Sequence, residues 1–428
     1  MIAILPEDLI VYMLRKCSCT EILLFSNVCR VARMICTFRT LKDKVYAATS
    51  SKEVFMWTAR DEQFLKCESL AHHAAFHGDL ETFRYLHSLL GPSRISQFAK
   101  FDGVEAYMLT KVAFSDLDKL DLHQPQLERL TMLGARCTAL HVAAYMGHVE
   151  VCRYLLTHAP QLARFATTEY SDTALHLAVE CNHTDVIRVL LDANADIAAE
   201  TDTSLQPIHF ANSCEAADLL VERGACISAQ TLHNDQLIHF AAQAGDAHFL
   251  KHLHTHHDMD IGVVNVEFSQ PLHFAAYNGA CSTFKYLLGQ GASVNATTVS
   301  GWSVIHGACF SGHLNIVEHA HAANGSLLAR DKRGWTGLHY AISEEHVPIV
   351  QYYHTANAFG DIPRVVLDIG ENEYSVDLVH LAACSNLSTL RYLHERCNLS
   401  LAKTTDDGKQ PMHFAAMTAN LEVVKYIW

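Results

Sequence analysis

The sequence predicts an all-α fold in which short helical units repeat along most of the chain. The first observation is a recurring signature, H-x-A, in which a histidine is followed two residues later by an alanine. The second is spacing, because successive signatures lie close to 33 residues apart. The third is length, because 428 residues are too many for one compact core and suit an elongated array or several domains.

Ten histidines carry the signature, and their successive separations are 69, 35, 33, 30, 34, 33, 33, 41 and 33 residues. A period this regular indicates an array of small supersecondary units, each of which buries its apolar face against the next. The signature histidines are His72, His141, His176, His209, His239, His273, His306, His339, His380 and His413.

Composition excludes several classes of protein. Apolar residues make up 50% of the chain and charged residues 18%, a balance typical of a well-packed folded protein. The net charge of −14 disfavours non-specific binding to nucleic acid, which needs a basic surface. The chain has no uninterrupted run of 18 apolar residues, so we expect no membrane span.

The cysteines and the N-terminus bear on the compartment. The 14 cysteines form no C-x-x-C pair, and MIAI followed by Pro6 is not typical of a signal peptide. We therefore expect mostly buried, reduced thiols in a cytoplasmic protein. The nucleus is an alternative, as is the host-cell cytosol if the source is a virus or an intracellular bacterium.

The pattern within each unit predicts a pair of helices. A Ser, Thr or Asp before the signature can cap the first helix, and small alanines after it let a neighbouring helix approach closely. A second apolar pattern follows, as at 149–156 and 184–191, with a spacing that places its apolar side chains on one helix face. Gly-Ala or Asn-Ala then stops this helix, as at Gly224-Ala225.

These units resemble ankyrin repeats, whose pattern runs T-P-L-H-x-A-A, then G-H, then V-x-x-L-L-x-x-G-A. The best matches are residues 138–156, 173–195, 270–295 and 410–427, and the resemblance covers roughly residues 66–428. It implies an all-α solenoid of about 10 or 11 units, each with two antiparallel helices and a projecting β-turn finger. It also implies that the signature histidines are structural, with ring nitrogens bonded within and between neighbouring turns.

Three stretches depart from the repeat. Residues 92–133 lack the signature and hold either a degenerate helical unit or an insertion. The excess length before His380 falls in residues 354–375, where we expect an enlarged β-turn finger. Residues 211–220 lack the usual glycine turn and indicate a shortened unit.

The N-terminal segment LPEDLIVYMLRKCSCTEILLFSNVCR, residues 5–30, differs from the repeats and resembles an F-box. Two positions depart from that family's pattern: Ala32 stands where the family has Trp, and Glu21 lies one place before the usual Asp position. The residues that carry the resemblance are Leu5, Pro6, Glu7, Leu9, Met13, Leu14, Ile22, Leu23, Val28, Cys29 and Arg30.

The two resemblances together suggest a function. An F-box presents apolar residues to the Skp-type adaptor of a cullin–RING (SCF-type) ubiquitin ligase, so the chain would be a substrate-recognition subunit whose repeats bind a protein substrate. The alternative is a non-catalytic ankyrin scaffold whose N-terminal helices cap the first repeat. The predicted organisation is an F-box-like domain at 1–45, a linker or helical connection at 46–65 and the array at 66–428.

Motifs for catalysis and cofactors are absent. The chain has no P-loop, no G-x-S-x-G and no G-x-G-x-x-G, so we expect no enzyme and no cofactor. Residues 252–257, HLHTHH, place four histidines within six residues, but only Asp258 and Asp260 lie near them as acidic partners. We therefore predict no physiological metal site there. Cys309 and His306 lie one helical turn apart in a first helix, where a buried thiol is expected.

A partner is expected to bind exposed positions of the first helices and the finger tips, where aromatic residues, Met and Arg are favoured. Trp302 and Trp335, 33 residues apart, occupy equivalent places on adjacent fingers, and packing on the neighbouring turn is the alternative for both. The predicted partner-binding residues are Tyr145, Met146, Tyr170, Phe268, Tyr277, Trp302, Phe310, Arg333 and Trp335.

Overall fold

A computed structural model describes residues 138–428 with short gaps, together with five residues further upstream. The gaps are 168–169, 360–361, 363 and 370–371, and the upstream residues are Ala75, Gly78, Leu80, Glu81 and Arg84. Four predicted features lie outside the described residues: the F-box-like domain at 1–45, the connection at 46–65, the segment 92–133 and His72.

The chain divides into two compact parts, which we call the N-terminal unit and the C-terminal unit; every other use of the word unit refers to a single repeat. The N-terminal unit comprises residues up to Pro207 together with Glu222–Ala225, and the C-terminal unit comprises Ile208–Val221 and Cys226–Trp428. The described part of the N-terminal unit holds the helices α1 (Ala139–Tyr145), α2 (Val149–His158), α3 (Ala174–Glu180) and α4 (Thr184–Asp192). Helix α1 packs on α3, and α2 packs on α4.

Helix pairs also build the C-terminal unit. Helix α5 (Cys214–Glu222) begins the series, which continues with α6 (Leu237–Ala244), α7 (Ala247–His256), α8 (Pro271–Tyr277), α9 (Cys281–Gly289), α10 (Val304–Ser311), α11 (Leu314–Ala322), α12 (Gly337–Ser343), α13 (Val347–Thr355), α14 (Leu378–Ser385), α15 (Leu387–Glu395), α16 (Pro411–Met417) and α17 (Leu421–Ile427). From α6 onward the even-numbered helices are the first helices of their repeat units, and each packs on the next first helix along the chain. The odd-numbered second helices pack on one another in the same way, from α7 to α17. None of the described helices combines the length and apolar character needed to cross a bilayer.

Small side chains set how closely the first helices approach. In α8 and α10, Ala275, Ala276 and Ala308 are fully buried, so adjacent backbones come close. Gly312 ends α10 in the left-handed conformation, with φ 84°. A Cβ there would lie 2.6 Å from the ring of His346, whose Nε2 donates to the carbonyl of Phe310 at 2.9 Å. The glycine of the Gly-His element therefore ends a first helix and leaves room for a histidine of the next repeat unit.

Two irregular stretches interrupt the described array. In the shortened unit, a single 3₁₀ turn, Pro207–Phe210, replaces the first helix and precedes α5. The enlarged finger is an antiparallel hairpin of β1 (Val365–Ile369) and β2 (Asn372–Val376), in which Val365 pairs with Val376. Both of these valines are buried, which attaches the hairpin to the array.

Candidate functional site

The signature histidines cap the helices in which they lie. His306 is the third residue of α10, and its Nδ1 accepts a hydrogen bond from the backbone N–H of Ser303 at 3.0 Å. Since Nδ1 accepts, the ring proton lies on Nε2 in the neutral imidazole. Eight signature histidines make this cap contact: His141, His176, His239, His273, His306, His339, His380 and His413.

In several of these histidines, the second ring nitrogen forms a hydrogen bond to the next repeat unit. Nε2 of His306 donates to the carbonyl of Trp335 at 3.1 Å, and Nε2 of His273 donates to the carbonyl of Ala296 at 3.1 Å. His209, in the shortened unit, makes the equivalent contact to the carbonyl of Ala229 at 2.9 Å. Burial lowers the pKa of His273 and of His306, which keeps both rings neutral. These histidines are engaged in structure and are not poised for catalysis.

A second set of histidines, which the sequence analysis missed, lies on the second helices of the C-terminal unit. Nδ1 of His254 lies 2.8 Å from the hydroxyl of Tyr286, and the two rings meet edge to face. The contact recurs along the array, and a histidine followed by a tyrosine 31 to 38 residues later is its only sequence signal. The further pairs are His321–Tyr352, His354–Tyr392 and His394–Tyr426, at 2.8, 3.0 and 2.8 Å.

Several predicted partner-binding residues come together in the C-terminal unit. Tyr277 stacks on Phe310 with ring centroids 6.0 Å apart, and Trp302 lies 5.6 Å from Phe310. Tyr277 is 46% exposed, while Phe310 and Trp302 are half-buried. We call these three residues the aromatic surface. It extends from the first helices α8 and α10 to the finger that carries Trp302.

Tyr340, a residue that the sequence analysis did not select, supports the aromatic surface from below. Its hydroxyl accepts a hydrogen bond from Nε1 of Trp302 at 3.1 Å and donates to Oδ2 of Asp331 at 2.6 Å. Burial and the Asp331 carboxylate raise the pKa of Tyr340, so the phenol stays protonated and donates. The orientation of Trp302 is thereby fixed from within the array.

Trp335 and Tyr145 do not belong in the partner-binding set, because each is only 5% exposed. Trp335 packs 5.0 Å from Tyr340, and its Nε1 donates to the carbonyl of Val366 in the hairpin at 3.3 Å. Arg333 remains exposed, with its guanidinium 5.2 Å from the Trp335 ring. Trp302 and Trp335 thus share a register but differ in accessibility.

The finger tips add a row of exposed apolar side chains. Backbone hydrogen bonds join neighbouring fingers, from Val266 N–H to the carbonyl of His233 at 2.9 Å and from Val299 N–H to the carbonyl of Glu267 at 2.8 Å. Leu232, Val266 and Val299 occupy the same position on three successive fingers, and all three are exposed. We call them the finger row.

Phe268 is the most unusual residue of these fingers. It adopts φ 56°, a left-handed conformation that Asn234, Gly301 and Gly334 adopt in the other fingers. A bulky side chain is uncommon there, because the Cβ crowds the backbone. Phe268 is nevertheless 59% exposed, so its phenyl group does not repay the strain by burial within the chain. Strain of this kind, held at an exposed tip, is typical of a binding residue.

The remaining predicted partner residues lie in the N-terminal unit. Tyr170 is exposed and Met146, which follows α1, is half-buried. The predicted adaptor-binding residues of the F-box-like segment lie outside the described residues.

The histidine-rich segment differs from its prediction in one respect. Nε2 of His252 and Nε2 of His257 lie 2.7 and 2.8 Å from Oδ1 of Asp218. The acidic partner is therefore neither Asp258 nor Asp260 but a residue of α5 in the preceding unit. Sequence spacing could not show it, because the fold brings together positions more than 30 residues apart.

The described cysteines include no disulfide, and most of them are not fully buried, contrary to the prediction. Cys152 and Cys309 are buried, whereas Cys226 is exposed. Burial raises the pKa of the Cys309 thiol to about 12, and its Sγ lies 3.7 Å from the hydroxyl of Tyr353. A thiol of this kind is not a nucleophile at neutral pH.

The family models agree with this architecture. Models described as "Ankyrin repeats (3 copies)" match residues 71–201, 205–298, 238–319 and 272–358, and one described as "Ankyrin repeats (many copies)" matches 378–427. No curated protein matches the chain. Among solved structures, the chain is similar to the human ASB11 ankyrin repeat domain at 22% identity, with 49% of this chain and 96% of that chain covered and a TM-score of 0.43.

Ankyrin repeats bind other proteins, and the fold is typically non-enzymatic. The helix pairs, the capping histidines and the joined fingers described above are those of such an array. The chain therefore belongs to the ankyrin-repeat family and is a scaffold for protein–protein interaction.

Proposed function

We propose that the protein is the substrate-recognition subunit of an SCF-type cullin–RING ubiquitin ligase. The observation that carries the binding half of this proposal is the aromatic surface, in which the exposed Tyr277 stacks on Phe310 and the buried Tyr340 accepts a hydrogen bond from Trp302. The adaptor half rests on the F-box-like residues of segment 5–30, above all Leu5 and Pro6. The site of action is then the cytoplasm, where cullin–RING ligases meet their substrates.

The aromatic surface suits the capture of a protein segment. Large aromatic side chains supply most of the binding energy in protein interfaces, since they bury a large area at a low entropic cost. Here the hydrogen bonds through Tyr340 to Asp331 fix Trp302 before any partner arrives, which lowers the cost of ordering it. Phe268 and the finger row extend the apolar area from the helices to the tips.

In this role the chain itself performs no chemistry. Holding a substrate near a ligase-bound ubiquitin-conjugating enzyme converts an encounter in solution into an intramolecular one, and the effective concentration rises accordingly. The repeats supply the binding surface, and the F-box-like segment supplies the link to the ligase.

The adaptor half is tested by pull-down of a purified Skp-type adaptor with the full chain. Wild type should retain the adaptor, and the double variant Leu5→Ala, Pro6→Ala should lose it. The control variant Leu232→Ala, at an exposed position of the array, should bind as wild type does. Equal retention by wild type and the double variant, or no retention by either, refutes the adaptor role.

The substrate half needs a separate measurement. Affinity purification from a eukaryotic lysate with wild type, Tyr277→Ala and the control Leu328→Ala should yield one set of proteins that only Tyr277→Ala loses. Leu328 is a suitable control because it is also an exposed apolar residue of the C-terminal unit but lies outside the aromatic surface. A chain that keeps these partners but fails the adaptor test is a non-catalytic scaffold, in which deletion of residues 1–40 lowers only stability.

A further inference from the structure

The histidine-rich segment of α7 sends its rings in two directions. His254 contacts Tyr286 of the following unit, whereas His252 and His257 both reach Asp218 of the preceding one. His257 can do so because it follows the last turn of α7 as the C-cap, one residue before the chain turns at Asp258 with φ 49°. The fold therefore brings two of the four histidines, His252 and His257, together with the carboxylate of Asp218.

We infer that Asp218, His252 and His257 form a Zn²⁺ site. The donor atoms, two imidazole nitrogens and one carboxylate oxygen, all lie within 4.8 Å of one another. In a tetrahedral zinc site, bonds of about 2.0–2.1 Å place the donors roughly 3.3 Å apart. Small side-chain rotations about the present geometry therefore produce three ligands and leave a fourth position for water.

The site is prepared before the metal arrives. Both histidine side chains are 15% exposed, so packing restricts their rings, while the Asp218 side chain is 40% exposed and gives the ion a route from solvent. Two imidazoles with one carboxylate match the preference of Zn²⁺ for nitrogen and oxygen ligands, and hard cations such as Mg²⁺ are disfavoured by the same set.

The position of the site suggests its role. Asp218 belongs to α5, in the shortened unit where a 3₁₀ turn replaces the first helix. This unit therefore lacks one of the two helices with which its neighbours pack. A metal ion that bridges α5 and α7 links the shortened unit to the complete pair that follows, and it stabilises the folded chain because the unfolded chain does not present the three ligands together.

A second mode of metal binding must be distinguished from this one. His252 and His256 are four residues apart on α7, with ring centroids 4.6 Å apart, and such a pair can chelate Zn²⁺ without Asp218 or His257. The two modes share His252 but differ in every other ligand. Variants at the unshared positions therefore discriminate between them.

The experiment is calorimetric titration of the reduced full chain with zinc chloride. Wild type and the matched controls His254→Gln and His256→Gln should bind one ion per chain with the same affinity. Asp218→Asn and His257→Gln should each weaken binding by more than about 10-fold, since loss of an outer-shell partner alone costs that much. Circular dichroism of each variant verifies that the chain is folded.

Two further readouts complete the test. Zinc should raise the thermal unfolding midpoint of wild type and of His256→Gln but not that of Asp218→Asn. Cobalt chloride should give visible absorption that Asp218→Asn abolishes, without a thiolate-to-metal band. The inference is overturned if wild type binds no zinc, if His256→Gln loses binding while Asp218→Asn keeps it, or if the ion is held by cysteines.

Discussion

Replacing His306 with alanine tests whether the signature histidine stabilises the array mainly through the bond that joins two units. The fully buried ring accepts from the backbone N–H of Ser303 and donates to the carbonyl of Trp335. Its removal leaves the Ser303 N–H without a partner and takes from the Trp335 carbonyl one of its two hydrogen bonds, the other being donated by the N–H of Asp331. Each buried polar group left unsatisfied costs about 1–3 kcal/mol, and the vacated ring space adds a cavity. We therefore expect a loss of about 3–5 kcal/mol in the free energy of unfolding.

The array provides its own matched control in His413. This histidine makes the same cap contact, with the N–H of Gln410, but its ring is exposed. Water can replace the lost contact, so His413→Ala should cost only about 0.5–1 kcal/mol. A third variant, His306→Asn, keeps an acceptor near the cap but is too short to reach Trp335, and its loss should fall between the other two.

Urea unfolding followed by circular dichroism gives the three free energies. The slope of each transition must be compared with that of wild type, because repeat arrays can unfold in steps and a changed slope indicates such a step. The reasoning fails if His306→Ala and His413→Ala are equally destabilised, or if His306→Ala costs less than about 1 kcal/mol.

Three further outcomes follow from the same contacts. Burial lowers the pKa of histidines such as His306 in the folded chain below the unfolded-state pKa of about 6.5. The folded chain should therefore lose stability as the pH falls below about 6.5 toward the folded-state pKa. A denaturation midpoint that does not change from about pH 7.5 to 5.5 contradicts this. Gly312→Ala should be more destabilising in thermal melts than Gly334→Ala, since both glycines have positive φ but only Gly312 lies against a neighbouring ring; equal melting temperatures contradict this. Phe268→Asn should leave the circular dichroism spectrum unchanged and weaken capture of the partner protein at least several-fold; capture at wild-type strength removes Phe268 from the binding surface.

The sequence predicted the parts of the fold that depend on local chemistry. The spacing of His273, His306 and His339 located the first helices, because each histidine caps its own helix and the cap repeats with the unit. The long interval before His380 contains the hairpin, and the short interval before His239 belongs to the unit with a 3₁₀ turn. These features depend on the number of residues between successive signature histidines, which can be read from the sequence.

Features that depend on contacts between units were not predictable from spacing. Trp302 and Trp335 are equivalent in register, yet Trp335 is covered because the hairpin that follows places the Val366 carbonyl beside its indole. Likewise, Tyr340 has no signature of its own, and its role depends on Asp331 and Trp302 converging on one hydroxyl. Burial and hydrogen bonding of this kind are set by the neighbouring unit and not by the residue's own position.

The backbone bonds between fingers have a consequence for how binding specificity can change. Val266, Val299 and Lys332 each donate a main-chain N–H to a carbonyl of the preceding finger, so the tips are held at fixed intervals whatever their side chains are. Side chains at these tip positions can therefore be exchanged one at a time with little effect on folding. The array is accordingly suited to retargeting: new side chains at positions 232, 266, 299 and 332 would alter the choice of ligand and leave the frame intact.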